Sequence, residues 1–181
     1  LEYLPFKKAT AKEWFNFGEQ LARMHKTSTH GQFGWEHDNY IGTTLQPNGW
    51  QSNWRTFFAE QRIGWQLQLL HEKGMEFGDI ETLVKNSKNI LRNHQPKPAL
   101  LHGDFWHGNI ALSVKGPISY DPASYWGDPE CDLAMAELFG GFQDSFFEGY
   151  QSVTPIAEGF EVRQHLYSLY HVLNHCSMFG G

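Results

Sequence analysis

The sequence is poor in the features that define several large protein classes. Only two cysteines, Cys131 and Cys176, occur in 181 residues, too few for the disulfide framework of a small secreted domain. Both stand in apolar helical patterns and read as reduced, buried thiols, so an intracellular, cytoplasmic setting is expected. Positive charge is scarce. Fourteen Lys and Arg against 20 Asp and Glu give a net charge of −6, and no basic cluster is present to attract nucleic acid or an anionic membrane. No apolar run approaches the roughly 18 residues of a membrane span. The N-terminus, Leu1-Glu2-Tyr3-Leu4-Pro5, has neither a start Met nor a targeting pattern, and it reads as mid-domain sequence belonging to something longer. A phosphate-cradling glycine loop is also missing: neither G-x-G-x-x-G nor G-x-x-x-x-G-K occurs. Aromatic residues, by contrast, are abundant. Fourteen Phe, seven Trp and seven Tyr suggest an aromatic-rich core first and a pocket for a ring-shaped ligand second.

Thr10 and Glu13 form a capping-box pattern, and Trp14, Phe17, Leu21 and Met24 follow at helical spacing, which predicts a helix over 11–26. Residues 27–52 mix aromatics, His and Gly with little periodicity and read as a long ordered loop. A second helix is expected over 53–72, burying Trp54, Phe57, Phe58 and Leu69 and ending before Gly74. A third follows Asp79, using Ile80, Leu83, Val84 and Leu91, and stops before Pro96 and Pro98. The period then changes. Short strands are expected at 99–101, 110–112 and 118–120, with a turn at 115–117. Helices return at 132–139 and 161–176, the latter presenting Leu166, Leu169, Tyr170 and Leu173 on one face. The chain therefore reads as one α+β domain, mostly helical, whose short hairpins carry the functional loops.

Those hairpins bracket the most informative stretch. Asp104 in H-G-D-F-W-H-G-N is followed five residues later by Asn109 and twelve further on by Asp121 in Y-D-P. Kinase-like phosphotransferases supply a catalytic base and two magnesium ligands in this order and spacing. Phosphoryl transfer needs a carboxylate at the acceptor hydroxyl and hard oxygen donors for Mg2+ beside the phosphates. Asp104, between two strands, suits the first task; Asn109 and Asp121, at strand ends, suit the second. Either Asp alone would be an ordinary turn former.

The strings H-G-D-F-W-H-G-N-I and Y-D-P-A-S-Y-W-G-D-P-E-C-D-L-A-M-A-E-L-F-G-G-F resemble the fructosamine (ketosamine) kinase family. That family lies within the aminoglycoside/choline phosphotransferase group of protein-kinase-like fold. E-Q-L-A-R-M-H and Y-S-L-Y-H-V-L-N-H match as well, so the resemblance spans most of the chain. It implies an ATP- and magnesium-dependent kinase acting on a sugar hydroxyl, O3 of free or protein-bound ketoamine adducts, in deglycation. Asp104 would be the base, and Asn109 and Asp121 the metal ligands. His102 would brace the loop, Asp132 would anchor it, and Asp128 would cap a helix. Trp106 would be a wall for the sugar or a core residue. Leu1-Glu2-Tyr3-Leu4 resembles the interlobe segment whose backbone meets adenine, which assigns Glu2 and Leu4 to nucleotide binding. Residues 1–181 would then be the large C-terminal lobe, with residues 1–5 as the hinge and the small ATP-binding lobe absent. His107 stands where the family usually has a small residue; it is either a surface His or an influence on acceptor choice.

Two other readings compete. A kinase-like module that binds without catalysing would account for the missing glycine loop, although the retained Asp104, Asn109 and Asp121 oppose it. A metal-dependent phosphoesterase is suggested by G-D-F-W-H-G, yet its His falls one residue late and no G-N-H follows. His171 and His175 lie one helical turn apart, but Val172 stands where H-E-x-x-H requires Glu, and helix packing is the better account of the pair.

Overall fold

The computed structural model of the chain describes residues 4–27 and 30–180. The chain is mixed helix and strand, with seven α-helices and three two-stranded antiparallel sheets among the described residues. Helix α1, Ala11–Thr27, starts where the sequence predicts. The Thr10 backbone N–H donates to Glu13 Oε2 at 2.9 Å, and the Glu13 N–H to Thr10 Oγ1 at 3.3 Å, the reciprocal bonds of a capping box.

The segment expected to be a loop contains a hairpin instead. Strands β1 (Asn39–Ile41) and β2 (Thr44–Gln46) pair in the register Asn39↔Gln46 and Ile41↔Thr44, joined by Gly42 and Thr43. Side chains pin this hairpin to its surroundings. Asn39 Nδ2 donates to the Ser124 carbonyl at 2.7 Å, and Gln46 Nε2 to the Ala123 carbonyl at 3.1 Å. Arg62, fully buried, donates to Pro47 O and to Asn48 Oδ1 at 2.7 Å while its guanidinium lies over the Phe57 and Tyr125 rings. Ring faces and carbonyl oxygens take the place of a carboxylate partner here.

The expected second helix is interrupted. Asn53 caps α2 (Trp54–Phe58), a π-helical turn follows at Ala59–Gly64, and α3 (Trp65–Glu72) completes it. The π turn inserts an extra residue and rotates the later half. Leu67 and Leu70 consequently take the buried positions, and Leu69 is only half-buried. Helix α4, Ile80–Ile90, is capped by Asp79, whose carboxylate accepts the Thr82 N–H at 2.8 Å.

Strand β3 (Ala99–Leu100) pairs with β6 (Trp126–Gly127), and β4 (Ile110–Ser113) pairs with β5 (Gly116–Ser119). Phe6 bridges to Ser113, so the N-terminal segment runs beside β4. Helix α5 spans Glu130–Leu138, α6 Asp144–Val153 and α7 Phe160–Phe179. Helix α6 was not expected. It packs on α1 so closely that Cβ atoms added at Gly18 and Gly149 would lie 1.9 and 2.0 Å from backbone oxygens of the opposite helix.

The aromatic residues supply much of the core, as expected: Trp14, Phe17, Phe105 and Phe146 meet edge to face or stacked beneath the β3–β4 loop. On α7, Leu166, Tyr170 and Leu173 are buried but Leu169 is 40% exposed, because it lies at the edge of the apolar stripe. Cys131 is buried and Cys176 half-buried, both as free thiols. Among the described residues, no helix is long and apolar enough to cross a membrane.

Candidate active site

The loop between β3 and β4 is fastened from below before it presents any side chain to solvent. Asp132, near the start of α5 and fully buried, accepts the backbone N–H of His102 at 2.8 Å and of Gly103 at 2.9 Å, one on each carboxylate oxygen. His25, near the end of α1, brings Nε2 to 3.2 Å from the same carboxylate and Nδ1 to 3.0 Å from the Tyr150 hydroxyl on α6. Burial alone would raise the Asp132 carboxyl. The hydrogen bond and charge of His25, with His102 and the Gly103 N–H, hold it below the ordinary aspartate value.

Gly103 takes φ of 82°, and a Cβ there would sit 2.1 Å from the Ala123 carbonyl oxygen. Gly103→Ala is therefore expected to lower stability by roughly 1–3 kcal/mol and to reduce activity with it. Urea unfolding and steady-state rates of the same preparation would check this, and unchanged stability would contradict it.

His102 is buried, which lowers its pKa and keeps the ring neutral. Its Nδ1 accepts the Asp104 N–H at 3.3 Å, leaving Nε2–H to donate to the Tyr120 carbonyl at 3.1 Å. One imidazole thus ties the Asp104 loop to the end of the neighbouring hairpin.

Asp104 emerges from this scaffold into a cleft of about 460 Å3, whose walls include Trp106, Phe139, His171, Asn174 and His175. Asn109 Nδ2 donates to Asp104 Oδ2 at 2.8 Å and to the Asp104 carbonyl at 3.0 Å. Burial pushes the Asp104 carboxyl up to about 6; the Asn109 hydrogen bond opposes the rise, while Asp132 and Asp121 add to it. Asp121 follows the neighbouring hairpin, and its charge is the smallest of these influences on Asp104. Register sets its position. Ile110 pairs with Ser119, and the Tyr120 N–H donates to the Asn109 carbonyl at 3.0 Å, so Asn109 and Asp121 lie at the same end of the β4–β5 hairpin. Asp121 is exposed and takes φ of 52°, a left-handed conformation that Asp tolerates better than most residues.

Asn109 and Asp121 are a suitable donor set for a hard divalent cation. Both hydrogen bonds of the Asn109 side chain use its amide nitrogen, which reserves the amide oxygen, and Asp121 adds a charged oxygen. A second cluster is less suited. Ligand atoms of His94, Asp128 and Glu130 lie within 4.8 Å of one another. Arg163, however, grips both Glu130 oxygens at 2.6 and 2.7 Å, and Asp128 Oδ2 takes the Tyr167 hydroxyl and His94, each at 2.6 Å. With Arg163 already neutralising it, this is a closed ion-pair network that ties α5 to α7. Asp128 also accepts the Glu130 N–H at 3.1 Å, capping α5.

The remaining expected residues fall in several places. Trp106 is half-buried, lies against Gly108 and Phe139, and lines the cleft. His107 is exposed and packs on Trp106 and Gly141, outside the cleft lining. Leu4 is half-buried, and Glu2 lies outside the described residues. His171, set aside in the sequence as a packing residue, brings Nδ1 to 4.0 Å from Asp104 Oδ1.

A model of the fructosamine kinase family matches residues 1–181. A Vibrio parahaemolyticus protein named "Probable ketoamine kinase" is 56% identical over 182 residues, covering 100% of this chain and 63% of that relative. The crystal structure of a Haemophilus somnus 129PT protein, assigned by name as a fructosamine-3-kinase, superposes with a TM-score of 0.93 at 38% identity. It covers 98% of this chain and 60% of that one. The ADP-bound aminoglycoside phosphotransferase APH(2'')-Ib shares the fold alone, with a TM-score of 0.53 at 17% identity over 98% of this chain and 63% of that one. The chain thus spans less than two thirds of the length of these relatives.

Proposed function

Because this chain belongs to the fructosamine kinase family, we propose that it carries the catalytic and acceptor-binding part of an ATP-dependent kinase acting on a sugar hydroxyl of ketoamine adducts. The observation that carries this reading is the Asp104 carboxylate. It is held by Asn109 and opens into a cleft, beside the hairpin that Asp121 follows. In the reaction, the acceptor hydroxyl oxygen bonds to the γ-phosphorus as the bond from that phosphorus to the ADP oxygen breaks. The hydroxyl proton passes to Asp104, and ADP leaves with the electron pair.

Asn109 and Asp121 are assigned to Mg2+, which when bound neutralises charge on the phosphate oxygens. His102 and Asp132 are assigned to keeping the loop in shape, and Trp106 to walling the sugar. Residues 1–181 act as the large lobe, with residues 1–5 as the hinge whose Glu2 and Leu4 backbone meets adenine. The free thiols of Cys131 and Cys176 fit a cytoplasmic enzyme.

The base must be ionised to take the proton. With the Asp104 carboxyl raised to about 6, kcat/KM for the acceptor is expected to be level above that pH and to fall towards tenfold per unit below it. A profile level down to the ordinary aspartate range, near about 4, would contradict the assignment.

The reading is tested by ADP release from the full-length gene product with ATP, magnesium and a fructosyl-lysine peptide. Turnover that depends on the ketoamine is expected. Binding of Mg-ATP without turnover of that peptide would reject the acceptor and keep the kinase. Release of phosphate from a simple ester, lost on His107→Ala, would instead favour a phosphoesterase.

A further inference from the structure

The cleft contains a polar side chain that the reaction above leaves without a task. His171, on α7, has a side chain only 6% exposed. Neither ring nitrogen has a hydrogen-bond partner among the described residues, and the ring lines the cleft beside Asp104. The sealed side-chain atoms without a partner among the described residues do not include either nitrogen, so the ring is open to a group that enters the cleft. On the same helix, the Asn174 amide oxygen accepts from Gln66 at 3.3 Å, and His175 is exposed and packs its ring on Phe179. Of these three, His171 is the one that is buried and makes no hydrogen bond among the described residues.

The separation from Asp104 suggests what fits there. Nδ1 lies 4.0 Å from Asp104 Oδ1, too far for a direct hydrogen bond. A single oxygen can reach both atoms at ordinary hydrogen-bond lengths of about 2.7–2.9 Å, with an angle near 90° at that oxygen. The other Asp104 oxygen is already committed to Asn109, so Oδ1 is the one that faces this position. Burial takes the His171 pKa down to about 4, so at neutral pH the ring is uncharged, with one N–H to give and no proton to lose to the carboxylate.

We propose that His171 is a second contact for the acceptor hydroxyl: its Nδ1–H donates to the oxygen whose proton Asp104 receives. The oxygen is then held by two side chains, and its remaining lone pair is directed at the phosphorus. This inference rests on the phosphoryl-transfer reading given above. It gives α7 a share in choosing which hydroxyl reacts, because a hydroxyl that reaches Asp104 without reaching His171 is held at one point only.

The test uses the full-length protein with ATP and the fructosyl-lysine peptide, in wild type, His171→Leu, His171→Asn and Asp104→Asn. The Asn amide nitrogen can stand where Nδ1 stands, whereas Leu fills the space without a donor. His171→Leu is expected to lower kcat/KM for the acceptor on the order of 10- to 100-fold, with KM for ATP and Tm little changed. His171→Asn is expected to recover to within about threefold of wild type. Leu at wild-type rate, Leu and Asn falling together, or losses matched by ATP binding and Tm would each overturn the proposal and leave His171 a packing residue. The Asp104→Asn arm separates the two claims. If it stays active, the reading beneath the proposal fails and takes the proposal with it. If it is inactive beside a normal His171→Leu, only the proposal fails.

Discussion

Asp104→Asn in the full-length protein is expected to lower kcat by roughly 100- to 10,000-fold without weakening the fold. Asn has the same shape, and its amide oxygen can still accept the Asn109 hydrogen bond that now ends on Asp104 Oδ2. It cannot take up the hydroxyl proton. Stability moves in the favourable direction. Because the folded-state pKa is raised to about 6, the ionised carboxylate opposes folding at neutral pH, and the penalty is fully present above that value. Removing the charge removes the penalty. Steady-state kinetics together with urea unfolding at pH 7 would check both halves. Wild-type turnover by the variant would take Asp104 out of the base role, while loss of both activity and stability would make the residue structural.

Asp132→Ala is expected to have the largest effect on stability, roughly 3–5 kcal/mol. It deletes the acceptor for the His102 and Gly103 N–H groups and the partner of buried His25 in one change. Unfilled buried donors retain their full desolvation cost. Activity should fall too, because the loop bearing Asp104 loses its anchorage. The loss should depend on pH in a defined sense. The Asp132 carboxyl is held below its ordinary value in the folded state, so its contribution is present above the unfolded value of about 3.9 and disappears as pH falls through the folded value. The gap between wild type and variant in urea midpoint should therefore narrow towards low pH. A gap that stays constant across the acid range would show that packing, not the ionised carboxylate, holds the loop.

The two predictions concern residues that were legible in the sequence to different depths. Asp104, Asn109 and Asp121 lie on one strand–loop–hairpin unit, so their spacing alone brings them near one another. Helix starts were readable for the same local reason: Thr10 with Glu13, Asn53 and Asp79 each bond to backbone within three residues. What escaped depends on distant partners. The hairpin at 39–46 is held by Ala123, Ser124 and buried Arg62, none of which its own pattern announces. Helix α6 has Phe146 and Tyr150 at helical spacing, but Gly149 reads as a breaker until the close approach of Phe15 on α1 explains it. The π turn that moved Leu69 off the core had no signal beyond Gly64 in mid-helix. His171 is the instructive case. Its helical period marks it as a packing residue, and only the fold brings α7 against the Asp104 loop. Three polar residues at helical spacing on one face, His171, Asn174 and His175, were the available clue.

The product of the reaction is the most direct witness to its chemistry. Mass spectrometry and phosphorus NMR of a fructosyl-lysine peptide, incubated with ATP, magnesium and the full-length protein, would show where the phosphoryl group goes. One phosphate ester on the sugar is expected, formed by wild type and absent with Asp104→Asn. Phosphate on the peptide's own side chains, or a sugar phosphate formed equally well by Asp104→Asn, would contradict that expectation.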